Sequence, residues 1–443
     1  MFLRYVLIVI LFFFFSNDLC QAGRLNIFLN VIHPASQNVT ISLQRIELKG
    51  TNRIYNLRDI PSKVSSKSTF GQVYLGYIEL NREVFSSIDL YFRQVDVDGQ
   101  VVSISKKKLS LPLSVSIRDN VSLSIFLIWD VKASLKGKVF QPTFYVRLQK
   151  RPLRGENLYV TCDDASTLFV VRADNNQVQA SLYIPSQPKW LSVDNNNDML
   201  YVLSDKTRTF SLVELSSFRI VDNFILPLVR SPTFFVLLPS KMALITDPDS
   251  SYVLLYNIFS GNLVLSKRLG YSPSEVFFSS LLNRIFVSSP SDQNIYVLTP
   301  NLDLVSTIKA GQRPRGLWVG RNRLYVADYG TGMVDVFGVG AFEPLGRIRS
   351  GAGAVQVFGQ GSRIYVSNEK EGTISVLSLN QLSVARKIRV GKGPFTMASC
   401  PRRGWLYIAL RGEKAVAVVD TASEELIGKI FLGCRPFGLV VGK

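Results

Sequence analysis

Short apolar runs alternate with polar turns along most of the chain, and one such run recurs at a nearly constant interval. The phrase LYVADYGTG, which begins at Leu324, joins an apolar segment to an acidic turn that contains glycine. Related phrases begin at residues 158, 200, 242, 285, 364 and 406, so that successive copies lie 39 to 43 residues apart. A second phrase, of which RPRGLWV is an example, precedes most copies and contains a proline except in GAGAVQV.

Each repeat is therefore predicted to form four short strands separated by turn residues. A repeat of about 41 residues with four strands is typical of a β-propeller blade, and seven copies predict seven blades over residues 158–443. The last repeat ends in the unpaired segment FGLVVGK, and the first repeat lacks the strand that should precede it. We therefore expect Phe437–Val441 to take the innermost place in the sheet that Leu158 begins, which leaves no open edge.

This pattern resembles the YVTN-type propeller repeats of exported bacterial and archaeal proteins. The likeness is strongest over residues 364–443, which include IYVSN, KIRVGKGP, VAVVDTASEELIGKIFLG and RPFGLVV, and weaker over 158–300, where SPSEVFF and MALITD depart furthest. It implies a propeller for about two thirds of the chain. It implies little about function, because propellers carry unrelated activities.

Residues 23–150 contain no such repeat. About seven apolar or alternating runs, among them LNIFLNVI and VSLSIFLIW, predict an antiparallel β-sandwich. The segment resembles an uncharacterised family of exported sandwich domains, and this resemblance implies no chemistry. Residues 151–157, RPLRGEN, are predicted to be a short linker. The predicted fold class is thus all-β, a seven-bladed propeller preceded by a sandwich.

The N-terminus has the pattern of an export signal. A short basic segment precedes an apolar run from Val6 to Phe15, and Cys20-Gln-Ala22 offers a cleavage site, so residues 1–22 are predicted to be removed. The alternative is a lipoprotein signal with Cys20 as the lipidated residue. Either interpretation predicts a periplasmic, cell-surface or extracellular protein, and no later run is long enough to span a bilayer, so membrane contact should be peripheral.

The composition indicates a folded protein with a strongly basic surface. Of 443 residues, 47% are hydrophobic and 19% charged, and the formal net charge is +18, which suits two folded domains rather than a disordered chain. For an exported protein, this charge points to an anionic envelope polymer or a protein partner rather than to nucleic acid. The alternative is that the charge serves only solubility, and the oligomeric state is left open.

The distribution of histidine and cysteine limits the chemistry. The single histidine, His33, lies outside the predicted propeller, which argues against haem and copper propellers and against Ser-His-Asp hydrolysis. We therefore predict no cofactor, no metal and no catalytic residue. Cys162 and Cys434 belong at the same rim and are candidates for a disulfide that locks the ring, although a simple register places Cys162 nearer to Phe437.

Basic and aromatic residues of the two phrases are predicted to meet at one rim, around the channel mouth. The arginines there are suited to carboxylate or phosphate groups and the aromatic rings to stacking, and in-register pairing would set Arg315 beside Asp328. The alternative is an exposed network of ion pairs. The candidate ligand-binding residues are Lys189, Trp190, Arg313, Arg315, Asp328, Tyr329 and Arg435.

The opposite rim carries a second basic group in its predicted turns. This basic rim consists of Arg321, Arg323, Arg363, Arg402 and Arg403. Such an arc could dock an anionic polymer, whereas solvated turn charges are the alternative interpretation.

Three classes of function follow from these patterns. The first is a non-enzymatic exported protein that uses the propeller as a rigid platform for binding. The second is a hydrolase of the lactone or sugar-acid type, calcium-assisted in one form, which would need Asp205, Asp247 and Asp328 to converge. The third, quinone-dependent oxidation, lacks the paired cysteines and docking tryptophans that it would require.

Overall fold

The computed structural model describes residues 22–378 and 381–443. Residues 1–21, which make up nearly all of the predicted export signal, lie outside the described residues. In the described ranges, no helix has the length and apolar character needed to cross a membrane. The chain is almost entirely β-structure, as expected.

Residues 22–150 form two sheets around one hydrophobic core, to which Ile27, Ile41 and Leu90 belong. One sheet has the order β12-β9-β1-β5, and the other has the order β10-β11-β7-β6-β2-β3, with β4 on β2 and β8 on β6. The elements are β1 (Gly23–Ile32), β2 (Val39–Lys49), β3 (Ile54–Asn56), β4 (Val64–Ser65), β5 (Gln72–Leu80), β6 (Glu83–Val97), β7 (Gln100–Ile104), β8 (Lys108–Ile117), β9 (Ser122–Asp130), α1 (Val131–Ser134), β10 (Leu135–Lys136), β11 (Val139–Phe140) and β12 (Phe144–Leu148).

The expectation of a wholly antiparallel arrangement here was wrong. Strands β1 and β9 pair in parallel from Arg24↔Ser122 to Ile32↔Asp130, and β11 also runs parallel to β7. Both β1 and β9 are buried on their two faces, and strands buried in this way carry nearly continuous apolar runs. One face of β1 packs into the N-terminal core through Leu25, Ile27 and Leu29.

The remaining residues build seven four-stranded antiparallel sheets, as expected for propeller blades. Six sheets are meanders of consecutive strands, and the seventh has the order β15-β14-β13-β40. The first half comprises β13 (Asn157–Cys162), β14 (Thr167–Arg172), β15 (Gln177–Tyr183), β16 (Pro188–Asp194), β17 (Met199–Ser204), β18 (Thr209–Glu214), β19 (Arg219–Ile225), β20 (Phe234–Leu238), β21 (Met242–Asp247), β22 (Tyr252–Asn257), β23 (Leu263–Arg268), β24 (Val276–Ser279), β25 (Arg284–Ser289) and β26 (Asn294–Leu298).

The second half continues to the C-terminus and includes one 3-10 turn, Pro401–Arg403. Its strands are β27 (Leu304–Lys309), β28 (Pro314–Gly320), β29 (Arg323–Asp328), β30 (Met333–Gly338), β31 (Pro344–Arg349), β32 (Ala354–Gln360), β33 (Arg363–Asn368), β34 (Thr373–Ser378), β35 (Ser383–Arg389), β36 (Pro394–Cys400), β37 (Trp405–Leu410), β38 (Ala415–Asp420), β39 (Glu425–Phe431) and β40 (Pro436–Gly442).

The C-terminal strand closes the first of these sheets, as the sequence predicted. Strand β40 pairs antiparallel with β13, with Leu158 opposite Val441 and Val160 opposite Leu439. A register shift then sets Cys162 opposite Pro436. The candidate disulfide between Cys162 and Cys434 is present, with 5.8 Å between the two Cα atoms.

The N-terminal part packs directly on this closing sheet. Phe28 of β1 lies against Phe169 of β14, with ring centroids 6.2 Å apart. The buried Arg24 side chain donates to the carbonyl oxygen of Gly433 at 3.1 Å and pairs with Glu79 at 2.7 Å. Side-chain contacts, as well as the connecting segment between β12 and β13, therefore join the two parts of the chain.

Candidate functional site at the channel mouth and axial cavity

Seven inner strands bring the proline phrases together around a common axis. Each of β40, β16, β20, β24, β28, β32 and β36 contacts the next, and β36 contacts β40 in turn. In most of them the register shifts just after the proline, as where Pro314 faces Asp328 but Leu317 faces Val326. The two residues between these pairs do not take part in the regular strand pairing and point in a different direction, which is the usual effect of a β-bulge. The residues that follow each proline therefore determine which side chains lie at the mouth.

Three cations converge on one aromatic ring at this mouth. The guanidinium carbons of Arg315 and Arg313 lie 4.5 and 5.4 Å from the centroid of the Tyr329 ring, and Lys370 Nζ lies 4.9 Å from it. Within residues 22–378 and 381–443, none of these cations forms an ion pair with a carboxylate. We call Arg313, Arg315, Tyr329 and Lys370 the Tyr329 cluster.

A second group of cations surrounds a buried carboxylate. Asp163 is fully buried. Its Oδ1 lies 2.7 Å from Arg435 Nε, and its Oδ2 lies 3.0 Å from Arg411 Nη2 and 3.4 Å from Lys189 Nζ. Burial lowers the pKa of Arg411, whereas the hydrogen bond to Asp163 raises the pKa of Arg435. Lys189 Nζ also lies 3.9 Å from Asp205 Oδ2, so this Asp163 cluster brings three cations to the buried Asp163 and shares one of them with Asp205.

The two clusters are neighbours on the same rim. The charge of Glu369 acts on the pKa values of both Tyr329 and Arg411. Arg411 also lies over the Phe395 ring at 4.8 Å, and Lys189 lies over the Phe437 ring at 5.0 Å. Basic side chains and aromatic faces thus lie around the mouth, with the acid Glu369 near both clusters, and such a surface is suited to an anionic ligand.

Aromatic rings from four of the seven inner strands pack together beneath the mouth. Trp190 packs on Phe234 with 4.9 Å between centroids, Phe234 on Phe437 with 5.8 Å, and Phe395 on Phe437 with 5.1 Å. Trp190 is therefore part of this aromatic layer, and it is half-buried there.

Asp328 does not take the predicted place beside Arg315. In the register Asp328 faces Pro314, and its Oδ2 lies 3.2 Å from Arg347 Nη2. Arg347 Nε also contacts Asp335 Oδ1 at 2.6 Å. Burial raises the pKa of Asp328 to about 7, the charge of Asp335 adds to this rise, and Arg347 opposes it. Asp328 therefore belongs to a separate carboxyl pair.

The basic rim is partly neutralised by acids that the sequence pattern did not associate with it. Arg363 Nε lies 3.3 Å from Glu424, and Arg402 and Arg403 lie 3.7 and 4.0 Å from Glu156. Arg321 is exposed in the turn before β29, which Arg323 begins.

The three carboxylates required for a hydrolase do not converge. Asp205 accepts from the Ser231 hydroxyl at 3.1 Å, and Asp247 accepts from the Ser231 amide at 2.9 Å. Asp328 instead binds Arg347. The described part of the chain contains no group of three or more His, Cys, Asp or Glu side chains placed to hold a metal ion. His33 is exposed, and its Nδ1 lies 2.9 Å from Asp130 Oδ2.

A cavity of about 460 Å³ lies on the axis below the aromatic layer. Residues of all seven inner strands line it, and Glu275 is the one ionisable side chain among them in the described residues. Sequence reasoning missed Glu275 and Gln356, as well as Lys370 and Arg411 at the mouth. The signal for Glu275 was an acid in SPSEVFF at a place where the other copies that contain a proline carry Trp, Phe, Gly or Thr.

Comparisons with known proteins show likeness in fold. No family model and no curated protein sequence matches the chain. A functionally unknown protein from Desulfotomaculum acetoxidans is 15% identical with a TM-score of 0.57, over 65% of this chain and 99% of that one. A proposed 6-phosphogluconolactonase from Bacteroides fragilis is 12% identical with a TM-score of 0.57, over 65% and 98%.

The dihydro-heme d1 dehydrogenase NirN is also similar, at 12% identity and a TM-score of 0.53, over 66% of this chain and 76% of that one. These structures are described as proteins of different functions. Sequence identities this low support a similarity in fold alone. The chain is therefore similar in fold to all-β proteins of propeller-like type.

Proposed function

We propose that this is an exported, non-enzymatic binding protein, and that its ligand is an anionic polymer of the cell envelope that docks at the channel mouth. We also infer that the seven sheets close into one seven-bladed propeller of the YVTN type, carried by a sandwich formed by the two N-terminal sheets. The cyclic contacts of the inner strands support the ring, and the shared core supports the sandwich. Export rests on the sequence of residues 1–22.

The Tyr329 cluster is the observation that carries the proposal. Arg313, Arg315 and Lys370 are held around one ring without a carboxylate partner in the described residues. Like charges gathered around one ring repel one another, and an anion held among them would relieve that repulsion through charge-assisted hydrogen bonds. The adjacent Asp163 cluster extends the positive surface, which favours a ligand with several anionic groups over a single small ion.

Binding of two defined polymers tests the proposal. Inorganic polyphosphate and polygalacturonate represent phosphate and carboxylate polymers, and their affinities for the purified protein can be measured by thermophoresis at low and at physiological salt. We expect the triple variant Arg313→Gln/Arg315→Gln/Lys370→Gln to bind the preferred polymer about 100-fold more weakly. The remaining affinity should also depend less on salt.

The matched control removes the same charge from the opposite end of the ring. The variant Arg321→Gln/Arg323→Gln/Arg402→Gln should bind almost as the unmodified protein does. If this control loses binding while the mouth variant keeps it, the basic rim is the docking surface and the mouth is not. If neither polymer binds, the proposal fails.

The alternative of a lactone or sugar-acid hydrolase has less support. The fold likeness to a proposed 6-phosphogluconolactonase favours it. However, Asp205 and Asp247 meet at Ser231 whereas Asp328 is bound by Arg347, so the three carboxylates that the hydrolase needs do not converge. The geometry at the mouth therefore supports ligand binding without catalysis better than it supports hydrolysis.

A further inference from the structure

The axial cavity is a second and separate place where this protein could hold a molecule. Its volume of about 460 Å³ lies within the usual range for small-molecule sites. Aromatic side chains of neighbouring inner strands, Phe277, Trp318 and Phe358, line it together with aliphatic residues. Trp318 packs against the backbone at Gly320 and Gly359, where an added Cβ atom would come within 1.9 and 2.1 Å of the indole.

Glu275 is placed in this apolar space without a cation in contact. Its residue is 8% exposed, and in the described part of the chain it forms no ion pair within 4.0 Å. Burial raises its pKa to about 8, while the charge of Arg315 and a hydrogen bond with Gln356 lower it. A carboxyl group in such surroundings keeps its proton at neutral pH, and its hydroxyl is then a hydrogen-bond donor.

Gln356 is the amide side chain next to Glu275. Gln356 Oε1 accepts from the backbone amide of Met397 at 2.6 Å. Gln356 Oε1 keeps a second lone pair, and the Gln356 N–H groups can satisfy the carbonyl oxygen of Glu275. Glu275, Gln356, Ser192 and Ser399 are the polar side chains of the lining, and the Glu275 hydroxyl is one donor available to a molecule in the cavity.

We propose that the axial cavity binds an uncharged, largely apolar molecule that carries a hydrogen-bond acceptor such as a carbonyl oxygen, and that Glu275 donates to this acceptor. The aromatic and aliphatic wall supplies the apolar contact. A charged molecule would lose its hydration without a counter-charge inside the cavity. This site is distinct from the anionic surface of the proposed function.

Entry is expected from the end of the axis opposite the mouth. The contacts among Trp190, Phe234, Phe395 and Phe437 cover four of the seven inner strands on the mouth side. The cavity lining continues the other way along the inner strands to Phe278, Ser399 and Val441. A ligand can therefore occupy the cavity while the mouth binds a polymer.

Two probes that differ only in the acceptor test the proposal. Benzophenone has a carbonyl group between its rings, whereas diphenylmethane has a methylene group there, and equilibrium dialysis measures the binding of each to the full chain. We expect benzophenone to bind roughly five- to tenfold more tightly, which is the range of one hydrogen bond. Ala398→Trp fills the cavity and should abolish binding of both probes.

Substitutions at Glu275 then identify the donor. Glu275→Leu should bind the two probes equally, whereas Glu275→Gln keeps an N–H donor and should retain the preference for benzophenone. Glu343→Leu, at an exposed site, should bind as the unmodified protein does. The proposal is overturned if benzophenone does not bind, if diphenylmethane binds as well, or if Ala398→Trp leaves binding unchanged. If Glu275→Leu does not fold, Glu275→Gln and Ala398→Trp still decide the question.

Discussion

At the scale of single residues, the ionisation of Glu275 makes stability depend on pH. Its pKa rises from 4.5 in the unfolded chain to about 8 in the folded protein. The folded state therefore holds a proton that the unfolded state has lost, so the contribution is fully present below pH 4.5 and is lost as pH rises toward 8. The opposing charge is that of Arg315, and Gln356 is the polar neighbour.

We predict that Glu275→Gln removes this component of the pH dependence. Between pH 4.5 and 8, the unfolding free energy of the unmodified protein should fall by on the order of 4 kcal/mol more than that of the variant. Denaturant unfolding at these two pH values, compared between the two proteins, gives the difference directly. If the unfolding free energy falls equally in both proteins, Glu275 is ionised in the folded state.

Residue types at the mouth were predictable from the sequence, but their pairing was not. Arg315 and Tyr329 do meet at the mouth, because both phrases place basic and aromatic residues at the same ends of strands. Asp328 was assigned to Arg315 by counting along a regular ladder. The bulge after Pro314 removes Arg315 from that ladder, and Arg347 reaches Asp328 from β31, a strand that the repeated phrases do not mark.

At the scale of strands, repetition determined what could be predicted. Seven copies of one pattern led to seven sheets and to the pairing of β40 with β13. The N-terminal strands do not repeat, and local alternation does not say which of them become neighbours. The parallel pairing of β1 with β9 was therefore missed, although their continuous apolar runs were the available signal.

The closing sheet is predicted to depend on its disulfide. Cys162 and Cys434 are separated by 272 residues, and a cross-link across so long a segment restricts the unfolded chain strongly. Cys162→Ser/Cys434→Ser should lower the unfolding free energy by about 3–5 kcal/mol, as measured by denaturant unfolding. Reduction of the unmodified protein should have the same effect.

Cys400→Ser is the matched control for this double variant, because Cys400 is buried and unpaired. It should not change the response to reduction. If the double variant is as stable as the oxidised protein, the pairing of β40 with β13 holds the sheet closed without the cross-link.

At the scale of the whole molecule, the two parts of the chain share a hydrophobic cluster. Phe28 and Phe126 of the N-terminal sheet belong to the same buried cluster as Phe169 and Val171 of the closing sheet. Ser122 and Ser124 hydrogen-bond Thr167 and Ser181 across the same boundary, at 3.1 and 2.9 Å. Domains joined by a large apolar interface do not move independently, so the N-terminal part braces the sheet where the chain closes.

This coupling predicts that the protein unfolds in one calorimetric transition. Phe28→Ala creates a cavity at the shared cluster, costs about 3–5 kcal/mol, and should split the transition because it weakens the boundary more than either core. Phe92→Ala removes a ring from the N-terminal core alone and should lower the temperature of a transition that stays single. Two transitions in the unmodified protein would show that the parts unfold separately, and the bracing of the closing sheet would then have to come from β40 and the disulfide alone.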